Sequence, residues 1–145
     1  PRRLPNGIRN YIYEVQQLTG RSIPSNQLSE LKNALQRQNF GKLTKADTAR
    51  HRTAFDKVKN DLISEWELKT SQQWPRYTEN IPKKNGKTGF SRQKGDAYDA
   101  HHLIENELGG PAEWWNIHPA KFPDQHQGGI HATGSALKVL LNNID

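Results

Sequence analysis

Five of the six histidines in this sequence lie between residues 101 and 131. They comprise the adjacent pair His101-His102, then His118, and then His126 and His131. Neutral imidazole is the commonest metal ligand, and imidazole is also the side chain that titrates closest to neutral pH. The spacing therefore predicts a site that binds a metal ion, transfers a proton, or does both.

The adjacent pair His101-His102 suggests two different roles rather than one. Neighbouring side chains of a β-strand point to opposite faces, so both would bind one metal only where the strand ends or twists. It is easier for one imidazole to bind a divalent cation while its neighbour takes a proton from an attacking water, as in phosphodiester hydrolysis. Such a base needs a group that orients it, and Asn116 is well placed in the sequence for that task.

The composition narrows the chemistry further. The chain contains no cysteine, which excludes disulfides, thiolate zinc sites and cysteine nucleophiles. Imidazole ligands suit zinc, nickel, cobalt or manganese better than magnesium, which prefers oxygen. At 145 residues the chain is long enough for one compact domain. It contains no apolar run that would span a membrane, and we expect no membrane partner.

Positive charge is concentrated before the histidines. Residues 1–100 contain 19 Lys and Arg against 10 Asp and Glu, whereas residues 101–145 contain two Lys against five acids. A basic surface is typical of proteins that bind a polyanion, although a solvated, lysine-rich surface explains the charge equally well. The residues expected to contact phosphates are Lys83, Lys84, Lys87, Arg92 and Lys94.

Hydrophobic periodicity predicts three helices before the histidines. The first covers about residues 7–19 and ends before Gly20, and the second covers about residues 24–39. The third begins after the cap Thr44 and should bury one face, formed by Ala46, Phe55, Val58, Leu62 and Trp66.

A segment rich in Pro, Gly and Lys follows, in which Asn85-Gly86 predicts a tight turn. Residues 90–104 are expected to supply one or two short strands that end in the histidine pair. A loop should then lead past Trp114 and Trp115, which we expect in the core. A last helix is predicted over residues 135–142, so the expected order is strand, strand, loop, helix.

The pair His101-His102, Gly109-Gly110, Asn116 and the two last histidines together resemble the HNH, or His-Me finger, nucleases. The resemblance is greatest to the nuclease colicins and to the nuclease tips of bacterial polymorphic toxins, and it covers about residues 95–145. It implies an α+β chain: a helical region over residues 1–70, a basic connecting segment over residues 71–94, and a ββα-metal nuclease core over residues 95–145, together one compact unit.

Carried over to this sequence, the resemblance implies that His102 is the general base and that Asn116 fixes the loop bearing it. His101, His126 and His131 would bind one divalent ion, namely Zn, Ni, Mn or Mg. Colicin-type domains place their last two histidines four residues apart, but here the spacing is five. Five residues would turn these side chains about 140° apart on a regular helix. Gly128-Gly129 would have to break that helix; otherwise His126 alone of the two would bind the metal.

The resemblance also implies a function. The chain would be a metal-dependent endonuclease that cuts DNA with little sequence specificity, as the monomeric toxic domain of a larger secreted bacterial protein. It would act in the cytoplasm of a target cell, and an acidic immunity protein would protect the producer. Two alternatives stay open: a ribonuclease on the same scaffold, and a non-enzymatic nucleic-acid-binding module with a structural zinc closed by four protein ligands.

Overall fold

The chain is an α+β protein, as the sequence predicted. A computed structural model describes residues 6–37 and 40–122. The helices in these residues are α1 (Asn6–Thr19), α2 (Ser25–Arg37) and α3 (Lys45–Thr70). The strands are β1 (Ile81–Pro82), β2 (Phe90–Arg92), β3 (Asp99–His102) and β4 (Ile117–Ala120). The predicted final helix and residues 126 and 131 lie outside the described residues.

Helix α1 forms where apolar residues recur at helical spacing. Ile8, Tyr11, Ile12 and Val15 are all buried, and they follow one another at intervals of three, one and three residues, which places them on one face. The helix ends at Thr19, just before Gly20, whose φ of 65° lies in the left-handed region. Both limits agree with the prediction.

Helix α3 begins where the sequence predicted. The Thr44 side chain accepts a hydrogen bond from the Asp47 backbone N–H, which caps the first turn. The predicted buried face is correct for Phe55, Leu62 and Trp66 but wrong for Ala46 and Val58, which are exposed.

The reason for this error is angular. At about 100° per residue, the nine residues from Ala46 to Phe55 turn the helix by about two and a half revolutions, so Ala46 points away from the buried face. Val58 lies at one edge of that face, and the buried Ile63 extends it on the other side.

Between α3 and residue 122, the structure has two separate antiparallel sheets of two strands each. β1 pairs with β2 across a turn in which Asn85 and Gly86 have φ values of 63° and 70°, as their dipeptide predicted. β3 pairs with β4, so that His101 lies opposite His118 and His102 lies opposite Ile117.

The sequence did not predict β4, and the expected order of strand, strand, loop, helix is therefore wrong. The loop after β3 returns in a second strand of four residues, all of them buried. So short a segment, interrupted by Pro119, has little local preference for a strand. Its conformation depends on pairing with β3, which is distant in the sequence.

One hydrophobic core joins the helices to the β3–β4 hairpin. It includes Ile8 and Val15 of α1, Trp66 of α3 and Ile117 of β4. The two tryptophans of the loop, Trp114 and Trp115, are also buried in it and make up most of a 3₁₀ turn. Their predicted place in the core is confirmed.

A single polar side chain connects three of the packed elements. Gln27 of α2 is fully buried, and its amide nitrogen donates to the carbonyls of Trp115 and Ile117 at 3.0 and 2.7 Å. Its carbonyl oxygen accepts the indole N–H of Trp66 at 3.1 Å. α2, α3 and the hairpin are thus fixed relative to one another by one amide.

None of the helices that the structure describes is both long enough and apolar enough to cross a bilayer.

Candidate active site

A cleft of about 690 Å³ opens between the first half of α3 and the end of β3. One wall is a face of α3, and the other consists of β3 and the residues that follow it. The lining from α3 comprises Thr48, Arg52, Phe55, Asp56, Lys59 and Asn60, and the lining from the other wall includes Asp99, His101, His102, Glu105, Asn106 and Glu107.

His102 ends β3 at this cleft and is nearly buried. Its ring packs against Phe55 of α3, with the ring centroids 4.3 Å apart and the planes tilted by 58°. The Nε2 atom is shielded from solvent. Contact with an aromatic ring from another element restricts the imidazole to a narrow range of orientations, as a proton-accepting group requires.

His101 points to the opposite side of the strand, towards α1, as strand geometry predicted for adjacent residues. Its Nε2 atom lies 3.1 Å from the Tyr11 hydroxyl, which donates to the Leu103 carbonyl at 3.0 Å. Burial raises the pKa of Tyr11 well above its ordinary value, and the nearby Glu105 charge adds to the effect. The phenol therefore stays protonated.

His118 is a fully buried residue of β4, a strand that the sequence did not predict. Its Nε2 atom lies 2.8 Å from the Thr19 hydroxyl, which donates to the Val15 carbonyl. Burial, and to a lesser degree the charge of Arg21, lowers the pKa of His118 to about 3. This histidine is therefore neutral at neutral pH, and its contacts are those of a structural residue.

The loop between β3 and β4 is closed by Asn116. Its side-chain oxygen accepts the Ile104 N–H at 2.7 Å, and its side-chain nitrogen donates to the carbonyls of Ile104 and Pro111, both at 3.1 Å. Gly110 lies against this contact, because a Cβ there would be 1.8 Å from the Ile104 carbonyl oxygen. Asn116 and Gly110 thus determine the path of the backbone that directly follows His102.

A hydrogen-bonded network lies at one end of the cleft. Arg92 donates to both oxygens of Asp99, at 2.7 and 2.6 Å, and the Tyr77 hydroxyl donates to the same carboxylate at 3.1 Å. The guanidinium also lies 4.3 Å from the centre of the Phe122 ring. Burial raises the pKa of Tyr77 to about 12. The charge of Arg92 is therefore largely matched by Asp99.

Of the five residues predicted to contact phosphates, the structure places one at the cleft. Arg92 lines the cleft, whereas Lys83, Lys84, Lys87 and Lys94 are exposed on or beside the β1–β2 hairpin and do not line it. Sequence reasoning missed the two cations of the α3 wall, Arg52 and Lys59. Their spacing of seven residues, which returns to one helix face, was the signal that would have identified them.

The predicted metal ligands are described only in part. His101 lies in β3, but His126 and His131 fall outside the residues that the structure describes. Within residues 6–37 and 40–122, no group of three His, Asp or Glu side chains is arranged to hold a metal ion. Of the three predicted ligands, the described residues contain His101.

Comparison with known proteins found two relatives, and no family model matches the chain. It is 55% identical over 134 residues to Toxin YxiD of Bacillus subtilis (strain 168), a match that covers 92% of this chain and 23% of the relative. It is 36% identical over 98 residues to Probable deoxyribonuclease RhsB of Dickeya dadantii (strain 3937), covering 68% of this chain and 6% of the relative. The chain therefore spans less than a quarter of either protein and is similar to one segment of each.

Proposed function

We propose that this chain is the nuclease domain of a bacterial toxin and that it hydrolyses phosphodiester bonds of DNA in the cleft described above. The observation that carries the proposal is the position of His102. It ends a strand at the cleft and packs on Phe55, and the Asn116 side chain hydrogen-bonds to the backbone of Ile104, two residues after it. The names of the two relatives, a toxin and a probable deoxyribonuclease, support the same conclusion.

In this mechanism His102 takes the proton from the water that attacks the phosphate. Asn116 keeps the loop after His102 in one conformation, so that the imidazole meets the water at a constant position. A positioned base of this kind contributes a factor of about 10² to 10⁴ to the rate.

We further propose that the chain forms a ββα-metal site with one divalent ion held by His101, His126 and His131. Three imidazoles fit Zn²⁺, Ni²⁺ or Mn²⁺ better than Mg²⁺. When bound, the ion supplies positive charge that stabilises the phosphate as negative charge develops on it. His101 is a candidate for this role because it is adjacent to the base in β3 and is among the residues that line the cleft.

Two cations of α3 are proposed to hold the substrate backbone. Arg52 and Lys59 line the cleft on the wall opposite His102, and cations in such a position attract phosphates whatever the base sequence. Lys83, Lys84, Lys87 and Lys94 would extend this basic surface along the β1–β2 hairpin. Backbone contacts alone would produce cleavage with little sequence specificity.

The biological setting proposed here follows from the relatives and from the charge. The domain would be delivered as part of a longer bacterial toxin and would act in the cytoplasm of the target cell. The producer would then need an immunity protein, and an acidic one would complement the net charge of +6. We expect the domain itself to be a monomer.

The direct test is cleavage of supercoiled plasmid by metal-stripped protein, before and after addition of Mg²⁺, Mn²⁺, Ni²⁺ or Zn²⁺. His102→Ala should lower the rate by about 10² to 10⁴, whereas His51→Ala, a change on α3 outside the cleft lining, should not. Undiminished cleavage by His102→Ala would rule out its assignment as the base. Absence of cleavage with every ion would contradict DNA as the substrate, and RNA would be tested next.

Substrate binding is tested through its salt dependence. Replacing both Arg52 and Lys59 by Ala should weaken binding to DNA of any sequence and lower the slope of log K against log salt by about one for each phosphate that the protein no longer neutralises. Lys57→Ala is the matched control, because Lys57 is exposed on the same helix but does not line the cleft. An unchanged slope in the double variant would show that the α3 wall does not contact phosphate.

A further inference from the structure

Tyr11 of α1 contacts His101 and the backbone that follows the histidine pair. Its hydroxyl lies 3.1 Å from His101 Nε2 and 3.0 Å from the Leu103 carbonyl oxygen. It therefore contacts the residue before His102 and the residue after it. The side chain is 3% exposed, and it is 90 residues from His101 in the sequence. Helix α1 thus provides a polar contact inside the region that the proposed function treats as the nuclease core.

The two hydrogen bonds together determine where the proton of His101 lies. A hydroxyl has one hydrogen, and a carbonyl oxygen can only accept. The Tyr11 hydroxyl therefore donates to Leu103 and must accept from His101, which requires a hydrogen on Nε2. In a neutral imidazole the other nitrogen, Nδ1, then carries the lone pair, which is the state of a nitrogen that binds a metal.

We propose that Tyr11 is a positioning residue that holds His101 in its Nε2–H tautomer and so directs Nδ1 to the divalent ion. The inference rests on the proposed function, since it takes His101 as a metal ligand. Metal-binding histidines commonly donate their second ring N–H to an oxygen of the protein, and loss of that partner lowers metal affinity by about 10- to 100-fold. Here the oxygen comes from the N-terminal helix.

The proposal assigns α1 a task beyond covering the hydrophobic core. A second contact, Thr19 with His118, joins the same helix to β4, so the hairpin is attached to α1 through both strands. The two hydroxyls are similarly placed, because each donates to a backbone carbonyl and lies within hydrogen-bond distance of a histidine Nε2. The difference is that His118 is a structural residue, whereas His101 is placed beside the base.

The first measurement is the tautomer of His101 in the metal-free 145-residue chain, by NMR correlation of its ring nitrogens and carbons, with His101→Gln used to assign the signals. The Nε2–H form is expected. Observation of the Nδ1–H form in the wild-type protein would overturn the proposal, and this result does not depend on whether any variant folds.

The second measurement is Zn²⁺ affinity, determined by competition with a chelating dye. Tyr11→Phe should weaken binding by about 10- to 100-fold and should have no further effect once His101 is replaced by Ala. Tyr13→Phe is the matched control, because Tyr13 lies on the same helix and is 60% exposed; its affinity should equal that of the wild type.

The outcomes separate the inference from the function on which it rests. If His101→Ala binds Zn²⁺ as tightly as the wild type, the proposed metal site is wrong. If His101→Ala weakens binding but Tyr11→Phe does not, the metal site stands and the positioning role is wrong. If Tyr11→Phe weakens binding equally with and without His101, its effect is merely structural, and the proposal is again overturned.

Discussion

Replacement of Gln27 by Leu should be among the most destabilising single changes in this chain. Leucine removes three hydrogen bonds, two to the carbonyls of Trp115 and Ile117 and one from the indole of Trp66. Trp66 is fully buried, so its N–H would be left without a partner and without access to water. A buried polar group left unsatisfied costs about 1–3 kcal/mol.

The three hydrogen bonds together account for about 3–9 kcal/mol, and the added apolar side chain offsets about 2 kcal/mol of this. We therefore expect the free energy of unfolding to fall by about 3–5 kcal/mol, near the middle of the resulting range. For a chain of this length the corresponding decrease in Tm is about 10–15 °C.

The assay is urea unfolding followed by tryptophan fluorescence, with an unchanged m value as evidence that the change is in stability. Gln17→Leu provides the control, since Gln17 lies exposed on α1 and its replacement should alter stability by less than about 0.5 kcal/mol. A decrease below about 1 kcal/mol in Gln27→Leu would refute the reasoning. It would mean that the amide does not connect α2 and α3 to the hairpin as described.

Two further predictions concern the same hairpin. Gly110→Ala should destabilise the fold by about 3 kcal/mol, because its Cβ would meet the Ile104 carbonyl oxygen, whereas Gly41→Ala, with open space around it, should be near neutral in the same thermal melts. Burial holds the pKa of His118 at about 3 in the folded protein, whereas in the unfolded chain it is about 6.5. Below pH 6.5 the unfolded chain therefore binds a proton that the folded protein does not. The free energy of unfolding should fall as the pH decreases from 6.5 towards 3, by up to about 1.4 kcal/mol per pH unit. His118→Gln should remove that part of the pH dependence; an identical pH profile in the variant would disprove it.

Local features of the sequence predicted much of the helical part. Thr44 marked the start of α3, Gly20 marked the end of α1, and Asn85-Gly86 marked a turn. Each depends on contacts within a few residues, or on backbone conformations that only certain residues adopt readily. Ala46 was misplaced because the nine residues from it to Phe55, at about 100° each, put it on the opposite side of the helix.

The predictions for the site were more mixed. The histidine pair lies at the end of a strand, as expected, and Asn116 hydrogen-bonds to the backbone of Ile104 in the loop that follows it; its role in catalysis stays a prediction. The sequence did not predict the roles of Tyr11 and His118. Both depend on pairing between segments some 90 or more residues apart.

By itself, the sequence predicted which residues would carry the chemistry: a histidine pair, an asparagine and a basic surface, with no thiol to provide an alternative. It also determined the helices, because periodicity and capping are local properties. Only the tertiary structure decided that His102 faces α3 while His101 faces α1, and that Arg52 rather than the hairpin lysines lines the cleft. Such choices depend on which distant segments pack together, and burial selects that packing over the whole chain rather than within any short segment of it.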